Sequence, residues 1–360
     1  MTISTKLNKV LIKLSKLYFP FNNLSPERLQ ETVNHIRIIE LQQDEILQIR
    51  GNKNHDYLYL LEGAIDVVCQ GSILTLIDPA ETQRSPVQLS PEKQSCSIIA
   101  KSDCIICHAH RDILDTIIAW DYIGRESRHT LKYIDIVRNT LVFRSLPIEY
   151  IGSAFTRMQR KSFLKGEIIH AEECAAYCLI LAGRVEVQQF NNQTQENHKI
   201  TVLGIGDTFG HEALVAGKNI DETIVILQDS EILLLDKEDY QEFMNRPLVR
   251  TVQPKIAQTM LDNGYQLLDV RFPEEYAEDR IPGAKLIPLN ELANRMKELN
   301  EKQPYIIYCH SGPRSAIAAL ILSQRKFEAL SLDGGIRDWP YEIEYTPGKP
   351  NIVSMTKKIH

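Results

Sequence analysis

Two stretches of the chain repeat one order of apolar and polar positions. One starts at Leu24 and the other at Leu146, and each opens with a turn and a short helical segment. Strand-like runs separated by turn residues follow, and in each copy one apolar strand ends at a glycine, Gly63 or Gly183. Short strands of this kind are typical of a sandwich or barrel, and a period of about 120 residues is too long for a solenoid unit. The pattern therefore predicts two copies of a small β domain.

The pattern changes near residue 248. From there, apolar runs that suit buried strands alternate with segments that suit helices, as in YIIY at 305–308 and AIAALIL at 316–322. Alternating strands and helices predict a mostly parallel sheet with helices on its faces. The C-terminal part of the chain is thus predicted to be an α/β domain.

The predicted organisation has six segments. A helix-like segment follows each β domain, RDILDTIIAWDYI after the first and KEDYQEFMNR after the second, and another joins the two copies. The predicted segments are an N-terminal helix or tail at 1–19, a first β domain at 20–124, a connecting helix at 125–143, a second β domain at 144–247, an α/β domain at 252–345 and a C-terminal tail at 346–360.

The composition is that of an ordinary globular protein. The chain has 360 residues, of which 43% are hydrophobic and 24% are charged, and its net charge is −6. The acidic balance gives no support for DNA binding, and the apolar runs are too short to span a membrane. Seven cysteines, an odd and modest number, indicate free thiols and a cytoplasmic location. The basic, amphipathic N-terminus lacks an apolar signal core and predicts either a plain helix or a segment that touches a membrane surface.

The motif CHSGPRS places one cysteine between a strand and a helix. Cys309 directly follows the apolar run YIIY, and a helix-like run begins at the end of the motif. Open α/β sheets bind ligands at such strand ends, and the N–H groups and dipole of a helix start favour anions there. We therefore expect a lowered pKa for the Cys309 thiol, which makes the thiolate a nucleophile. The residues expected to bind an anionic substrate are His310, Ser311, Gly312, Arg314 and Ser315.

Three motifs in this region resemble the rhodanese family. They are LLDVRFPEEYAEDRIPGAKLIPLNEL at 267–292, CHSGPRS at 309–315 and LDGGIRDW at 332–339, in the family's order. The resemblance implies a sulfurtransferase: Cys309 takes the outer sulfur of a donor such as thiosulfate, forms a persulfide with no other cofactor, and passes the sulfur to a thiol or a cyanide-like acceptor. It also implies that Arg314 steers the anionic donor. Asp269 and Arg271 are expected near the site, either in support of catalysis or in structural hydrogen bonds.

Two other chemistries fit the sequence less well. Four residues separate Cys309 from Arg314, one fewer than in the phosphatase loops that resemble this one, so the ring suits a sulfur atom better than a phosphate. The segment CIICHAHRD at 104–112 offers two cysteines and two histidines for a metal ion. However, the cysteines are three positions apart on a predicted strand and point to opposite faces, so we expect no metal site there.

The second β domain resembles the cyclic-nucleotide-binding fold, which implies an eight-stranded jelly roll with flanking helices. The family holds the nucleotide with a cassette that reads roughly F-G-E-x-A-L, followed by an Arg that pairs with the cyclic phosphate. Here Gly210 is followed by His211 in place of the Glu, with Glu212 next to it, and Ile220 or Asp221 stands in place of the Arg. Loss of that Arg removes the main attraction for the phosphate, so we do not expect cyclic-nucleotide binding.

The first β domain is predicted to be a more degenerate jelly roll, since no cassette can be recovered from residues 71–89. The leading functional hypothesis is a sulfurtransferase whose activity the two β domains regulate. The alternative is a ligand-responsive or redox-responsive sensor in which the rhodanese domain is a non-catalytic or signalling module. A homodimer is compatible with either hypothesis.

Overall fold

The computed structural model describes the chain as two compact units. The described residues are 3–50, 56–69, 72–77, 87–88, 95–126, 131–140, 143–144, 146–170, 176–191, 196–210, 222–245 and 249–345. One unit contains residues 1–122 and 249–360, and the other contains residues 123–248. The first β domain and the α/β domain therefore share one unit, a grouping that the linear pattern of the sequence did not predict.

The N-terminal β domain begins with two helices and continues with short strands. The helices are α1 (Ile3–Leu17) and α2 (Pro26–Thr32), and the Ser25 hydroxyl caps α2 by accepting the Arg28 N–H at 3.4 Å. The strands within the described residues are β1 (Ile36–Leu41), β2 (Ile46–Arg50), β3 (Tyr57–Glu62), β4 (Ala64–Cys69), β5 (Ser72–Ile77), β6 (Val87–Gln88), β7 (Ser95–Ala100) and β8 (Cys104–Ala109). Helix α3 (Arg111–Glu126) follows the last of them.

These strands form two antiparallel sheets around an apolar core. The sheet orders in the described part of the chain are β1-β8-β3-β6 and β2-β7-β4-β5. Residues two apart on a strand share a face, so Leu58 and Leu60 of β3 lie in the core between the sheets, together with Val67 of the second sheet. Tyr57 and Tyr59 point to the opposite face and pack in a second cluster that includes residues of α1. Strand β3 is therefore buried on both sides.

The amphipathic N-terminus is a helix whose apolar side packs inside the protein. Leu14 is fully buried and Val10 is nearly so, whereas Ile12 on the other side of α1 is 53% exposed. This packing buries most of the apolar face of α1. The sequence alone had left open whether this segment is a plain helix or one that touches a membrane surface. Among the residues that the structure describes, no helix combines the length and the hydropathy needed to cross a membrane.

The second unit is built on long antiparallel strands. Its described helices are α4 (Leu131–Asn139), α5 (Ile148–Arg157) and α6 (Lys237–Asn245). Its described strands are β9 (Gln159–Phe163), β10 (Ile168–His170), β11 (Ala176–Asn191), β12 (Glu196–Leu203), β13 (Thr208–Phe209) and β14 (Glu222–Asp236). The sheet order is β10-β14-β11-β12, with β13 on β11 and β9 on β14. Register shifts near Ala182 bend β11, so the sheet folds around a core that contains Cys178 and Val185.

Equivalent turns recur in the two β domains. In the first domain the Gln43 N–H donates to the Asp103 carboxylate at 2.9 Å, and in the second the Lys165 N–H donates to the Asp229 carboxylate at 2.9 Å. Asp103 lies directly before strand β8, and Asp229 lies within strand β14. The repeat that is visible in the sequence therefore extends to individual hydrogen bonds.

The α/β domain contains a five-stranded parallel sheet. Its helices are α7 (Pro254–Asp262), α8 (Pro273–Glu278), α9 (Leu289–Arg295) and α10 (Pro313–Gln324), and its strands are β15 (Arg250–Val252), β16 (Gln266–Asp269), β17 (Asp279–Arg280), β18 (Lys285–Leu286), β19 (Tyr305–Tyr308), β20 (Ala329–Leu332) and β21 (Glu344–Tyr345). The sheet order is β15-β20-β19-β16-β18, and each pair in it is parallel. Strand β19 is central and all four of its residues are buried, as expected for a continuous apolar run. The predicted parallel sheet is confirmed.

Candidate active site

Cys309 lies in the turn between strand β19 and helix α10. This is the carboxyl end of the central parallel strand, where α/β folds place ligand sites. The Gly312 N–H donates to Cys309 Sγ at 3.1 Å, and the Ser315 hydroxyl lies 3.6 Å from the same sulfur. Pro313 is the first residue of α10, a position where a helix needs no N–H donor. The loop thus aims a backbone donor at the sulfur atom, as an anion-binding loop does.

Residues from the LDGGIRDW motif hold the loop from the other side. The Ile336 N–H donates to the Cys309 carbonyl at 2.9 Å, and the Arg337 N–H donates to the His310 carbonyl at 3.1 Å. The hydroxyls of Ser315 and Ser331 are 2.9 Å apart. Sequence reasoning assigned no role to Ile336 or Arg337, although the Gly-Gly pair before them marked a segment that approaches another backbone closely.

Asp269 and Arg271 form a fully buried ion pair at the end of strand β16. Arg271 donates from Nη2 to Asp269 at 2.7 Å and from Nη1 to Asp279 at 2.7 Å. Burial disfavours charge on Arg271, but the carboxylates of Asp269 and Asp279 outweigh it and raise the pKa of the guanidinium. These contacts connect the end of β16 to β17. The sequence left open whether Asp269 and Arg271 support catalysis or form structural hydrogen bonds, and these contacts are of the structural kind.

Arg314 is paired with a glutamate of the same domain. It is 1% exposed, and its Nη1 and Nη2 donate to the two oxygens of Glu275 at 2.7 and 2.9 Å. Glu275 also accepts the Phe272 N–H at 3.1 Å and so caps helix α8. Burial would raise the pKa of Glu275, but the charges of Arg314, Arg111 and Arg271 together outweigh it and lower the pKa to about 2. The arginine expected to steer an anionic donor is therefore already engaged within the chain.

A carboxylate of helix α3 lies directly on the Cys309 loop. Asp115 accepts the Ser311 N–H at 2.8 Å, the Ser311 hydroxyl at 2.6 Å and the Arg314 Nε–H. Its Oδ2 is 3.4 Å from Cys309 Sγ, and both residues are buried. Asp115 is 194 residues from Cys309 in the chain, and no motif in the sequence connects the two. Sequence reasoning therefore missed the residue that contacts most of the loop.

The expected lowering of the Cys309 pKa is wrong for this arrangement. Burial, and next the Asp115 carboxylate, raise the pKa of the Cys309 thiol to about 12, against the smaller opposing effects of Arg314 and Ser315. The sequence-based expectation considered only the loop N–H groups and Arg314. It could not include a carboxylate from a distant helix or the exclusion of water that comes with it.

Two further residues of helix α3 contact the same domain. Arg111 Nη2 lies 3.5 Å from a Glu275 oxygen. Asp112 accepts a hydrogen bond from Arg337 at 2.8 Å, and its other oxygen is 3.1 Å from His310 Nε2. Positions 111 and 112 lie four and three residues before Asp115, so the three side chains share one helix face. That face covers the Cys309 loop.

The segment CIICHAHRD forms strand β8 and the start of α3. Cys104 and Cys107 pack in different apolar clusters, so their thiols do not converge. His108 and His110 instead approach the buried Asp56, with nitrogen-to-oxygen distances of 3.0 and 3.1 Å. The ligand atoms of these three side chains lie within 4.8 Å of one another, so among the described residues this is the set that could hold a metal ion. The sequence-based hypothesis weighed the cysteines and missed Asp56.

Comparison with known proteins matches two parts of the chain. Residues 160–247 match the model of the cyclic nucleotide-binding domain, and residues 253–341 match that of the rhodanese-like domain. A sulfurtransferase of Allochromatium vinosum is 39% identical over 74 residues, which are 20% of this chain and 69% of that protein. The chain belongs to the rhodanese-like family.

The rhodanese domain has further relatives. The thiosulfate sulfurtransferase GlpE of Pseudomonas aeruginosa is 30% identical over 89 residues, which are 24% of this chain and 81% of GlpE. YrkF of Bacillus subtilis is 42% identical over 84 residues, 23% of this chain, and the match spans only 45% of YrkF. The predicted order of a cyclic nucleotide-binding domain followed by a rhodanese domain is confirmed.

The nucleotide cassette of the second β domain falls largely outside the described residues. Gly210 directly follows strand β13 and is described, with a positive φ of 84°. His211, Glu212 and Ile220 lie beyond the described part of the chain. The expectation that this rhodanese-family protein does not bind cyclic nucleotides therefore stays a prediction from sequence.

Proposed function

We propose that this protein is a rhodanese-type sulfurtransferase that carries sulfur as a persulfide on Cys309. The Cys309 thiolate attacks the outer sulfur of thiosulfate, the S–S bond of the donor breaks, and sulfite leaves with the electron pair of that bond. A thiol or a cyanide-like acceptor then attacks the outer persulfide sulfur and restores the thiolate. Both steps use Cys309 alone, with no other cofactor.

The observation that carries this proposal is the Gly312 N–H, which donates to Cys309 Sγ at 3.1 Å. Hydrogen bonds to a charged acceptor are stronger than those between neutral groups, so such a donor stabilises a thiolate or a persulfide anion. The position of Cys309 at the end of the central strand supports the same chemistry. The matched relatives that are named sulfurtransferases also support it.

The remaining residues of the loop have proposed roles in binding the donor. Ser311 and Arg314 supply donors for the anionic end of thiosulfate, while His310 and Ser315 shape the loop around the sulfur. Asp269 and Arg271 hold the neighbouring strand end and act on the site only through its position. This assignment gives each predicted site residue either a binding or a positioning role.

The two β domains are proposed to regulate the rhodanese domain. The first is proposed to be a degenerate jelly roll of the same fold as the second, which is supported by the equivalent turn bonds at Asp103 and Asp229. Cyclic nucleotides are not the proposed ligands, because Ile220 or Asp221 stands where the family has an Arg. We propose a cytoplasmic location, since the described residues Cys104, Cys107, Cys178 and Cys309 form no disulfide, and a homodimer is compatible with this role.

A second candidate function is a sensor in which the rhodanese domain carries out no sulfur transfer. One observation favours it: Cys309 is fully buried beneath Asp115, and its thiol pKa is raised to about 12. In this case the contact between α3 and the loop would itself be the signalling element.

Intact-protein mass spectrometry after incubation with thiosulfate separates the two functions. We expect the wild type to gain about 32 Da, the mass of one sulfur atom, and to lose it again on addition of cyanide. Cys309→Ser should gain nothing. A folded, reduced wild-type protein that gains no sulfur even after long incubation would contradict the sulfurtransferase and favour the sensor.

A further inference from the structure

Asp115 occupies the place where the Cys309 loop would hold an anion. Its carboxylate receives the Ser311 N–H, the Ser311 hydroxyl and the Arg314 Nε–H. A carboxylate and the charged end of thiosulfate have the same sign of charge and accept the same hydrogen bonds. Asp115 is 1% exposed, so the contact also keeps water and solutes away from the loop.

The same contact weakens the nucleophile. Asp115 Oδ2 lies 3.4 Å from Cys309 Sγ, and a negative charge at that distance opposes formation of the thiolate. With its thiol pKa raised to about 12, Cys309 stays mostly protonated at pH 8. In this arrangement Cys309 is fully buried and lies beside a carboxylate that disfavours its thiolate.

Several contacts of opposite charge hold helix α3 in this position. Asp112 accepts a hydrogen bond from Arg337 at 2.8 Å, and Arg111 lies 3.5 Å from Glu275. Asp112 and Asp115 of α3 thus meet Arg337 and Arg314, while Arg111 of the same helix meets Glu275. Such complementarity indicates a specific docked state.

We propose that helix α3 is an inhibitory element built into the chain: its Asp115 carboxylate competes with the anionic sulfur donor for Ser311 and Arg314, and sulfur transfer at Cys309 requires the helix to leave the loop. The inference rests on the proposed sulfurtransferase function. Because the inhibitor is part of the same chain, its effective concentration is of the order of millimolar or higher, so it raises the KM for the donor. A ligand or partner that displaces α3 would activate the enzyme.

The first test compares the full-length wild type with Asp115→Asn and Asp115→Ala. The readouts are kcat and KM for thiosulfate with cyanide as acceptor, and the rate of Cys309 alkylation by iodoacetamide at pH 8. Asparagine keeps the shape of the side chain and removes its charge. We expect KM to fall at least about tenfold, the effect of losing one charge-assisted hydrogen bond, and alkylation to accelerate by at least as much.

A matched control is Asp66→Asn, which removes a carboxylate from strand β4 of the same domain. Asp66 accepts the Thr75 hydroxyl at 2.6 Å and is not part of the α3 contact. This variant should leave KM and the alkylation rate unchanged. If the Asp115 variants behave like the wild type, or if their KM rises, the inhibitory role is contradicted.

The two proposals fail in different ways. If Asp115→Asn exposes Cys309 to iodoacetamide but neither protein gains sulfur from thiosulfate, the docked helix remains as a regulatory contact and the sulfurtransferase function is rejected.

A second measurement needs no variant: backbone hydrogen exchange of residues 111–118 in the wild type with increasing thiosulfate. Loss of protection as the donor binds supports displacement of α3, whereas unchanged protection at a concentration that forms persulfide overturns it.

Discussion

The helices that close the two β domains have different partners. Helix α3 of the first domain places Asp115 on the Cys309 loop, whereas helix α6 of the second places Glu242 on Arg157 of its own unit, at 2.8 Å. When the helices are aligned at their first residues, 111 and 237, Gln241 takes the position of Asp115. Gln241 is exposed. The closing helix thus contacts its own unit in the second copy and covers the Cys309 loop in the first.

The proposed inhibition would depend on a few charged side chains of one closing helix, while the two domains share other features. Both domains keep a turn whose backbone N–H bonds an aspartate. Both also have a glycine of positive φ, Gly63 at 85° directly after β3 and Gly183 at 90° within β11, where the sequence had predicted the end of a strand. The closing helices differ in the side chain at the aligned position, which is the buried Asp115 in α3 and the exposed Gln241 in α6. The comparison therefore separates features that the β fold needs, such as the turns and glycines, from side chains that place α3 on the Cys309 loop.

The shared glycines give the largest expected effect. A Cβ at Gly63 would lie 2.3 Å from the Asp103 carbonyl oxygen, and one at Gly183 would lie 2.5 Å from the Asp229 carbonyl oxygen. Gly63→Ala and Gly183→Ala should each lower the free energy of unfolding by about 2–4 kcal/mol, because strain from positive φ adds to the clash.

Gly166→Ala is the control for this pair in urea unfolding. Its φ is also positive, at 90°, but a Cβ there would meet nothing within 4 Å, so a loss of about 1 kcal/mol is expected. Equal losses for Gly166→Ala and Gly183→Ala would show that the close approach does not matter. A large loss at one of the two shared positions alone would break the equivalence of the domains.

The acid stability of a Glu275 variant tests the contact between helix α3 and the Cys309 loop. Its pKa is about 2 in the folded protein against an ordinary value of 4.5, so it stabilises the fold above pH 4.5 and this stabilisation disappears as the pH falls toward 2. Glu275→Gln should therefore be less stable than the wild type by about 3 kcal/mol at pH 7. The gap should narrow between pH 4.5 and 2 in urea unfolding, and a gap that is independent of pH would refute the assignment.

Arg157 tests the contacts of helix α6 in the second β domain, and its replacement should change the free energy of unfolding least. Its guanidinium bonds Glu242 and Asp239 of α6, but it is 30% exposed, so Arg157→Ala should lower the free energy of unfolding by only about 0.2–1 kcal/mol. Alkylation of Cys309 should proceed at the wild-type rate. If this variant changed Cys309 reactivity, the two closing helices would not be independent.

Sequence alone predicts the parts of this molecule in which local pattern and burial agree. The run YIIY is apolar at four successive positions because strand β19 is buried on both faces. The loop that follows β19 therefore lies at the edge of the sheet. Asp115 could not be predicted in the same way. In RDILD it resembles an ordinary surface acid of an amphipathic helix, and it is buried only because a domain distant in sequence packs against it.

The same reason explains the wrong expectation for Cys309. Helix dipoles and loop N–H groups can be inferred from a strand-to-helix turn, and they favour the thiolate. Solvent access and the charge of a neighbouring domain cannot be inferred, and here burial and Asp115 reverse the direction of the pKa shift. The Asp56, His108 and His110 cluster was missed for a similar reason, since Asp56 comes from another segment of the chain.

The most direct test of the docked, inhibited site is the pH dependence of Cys309 alkylation in the wild-type protein. Mass spectrometry of the Cys309 peptide after brief exposure to iodoacetamide between pH 6 and 10 gives the rate at each pH. The account predicts slow alkylation that still rises at pH 10, consistent with a thiol pKa of about 12, and a marked acceleration in Asp115→Asn. Fast alkylation of the wild type that levels off near pH 8 or 9, as for an ordinary exposed cysteine, would contradict it.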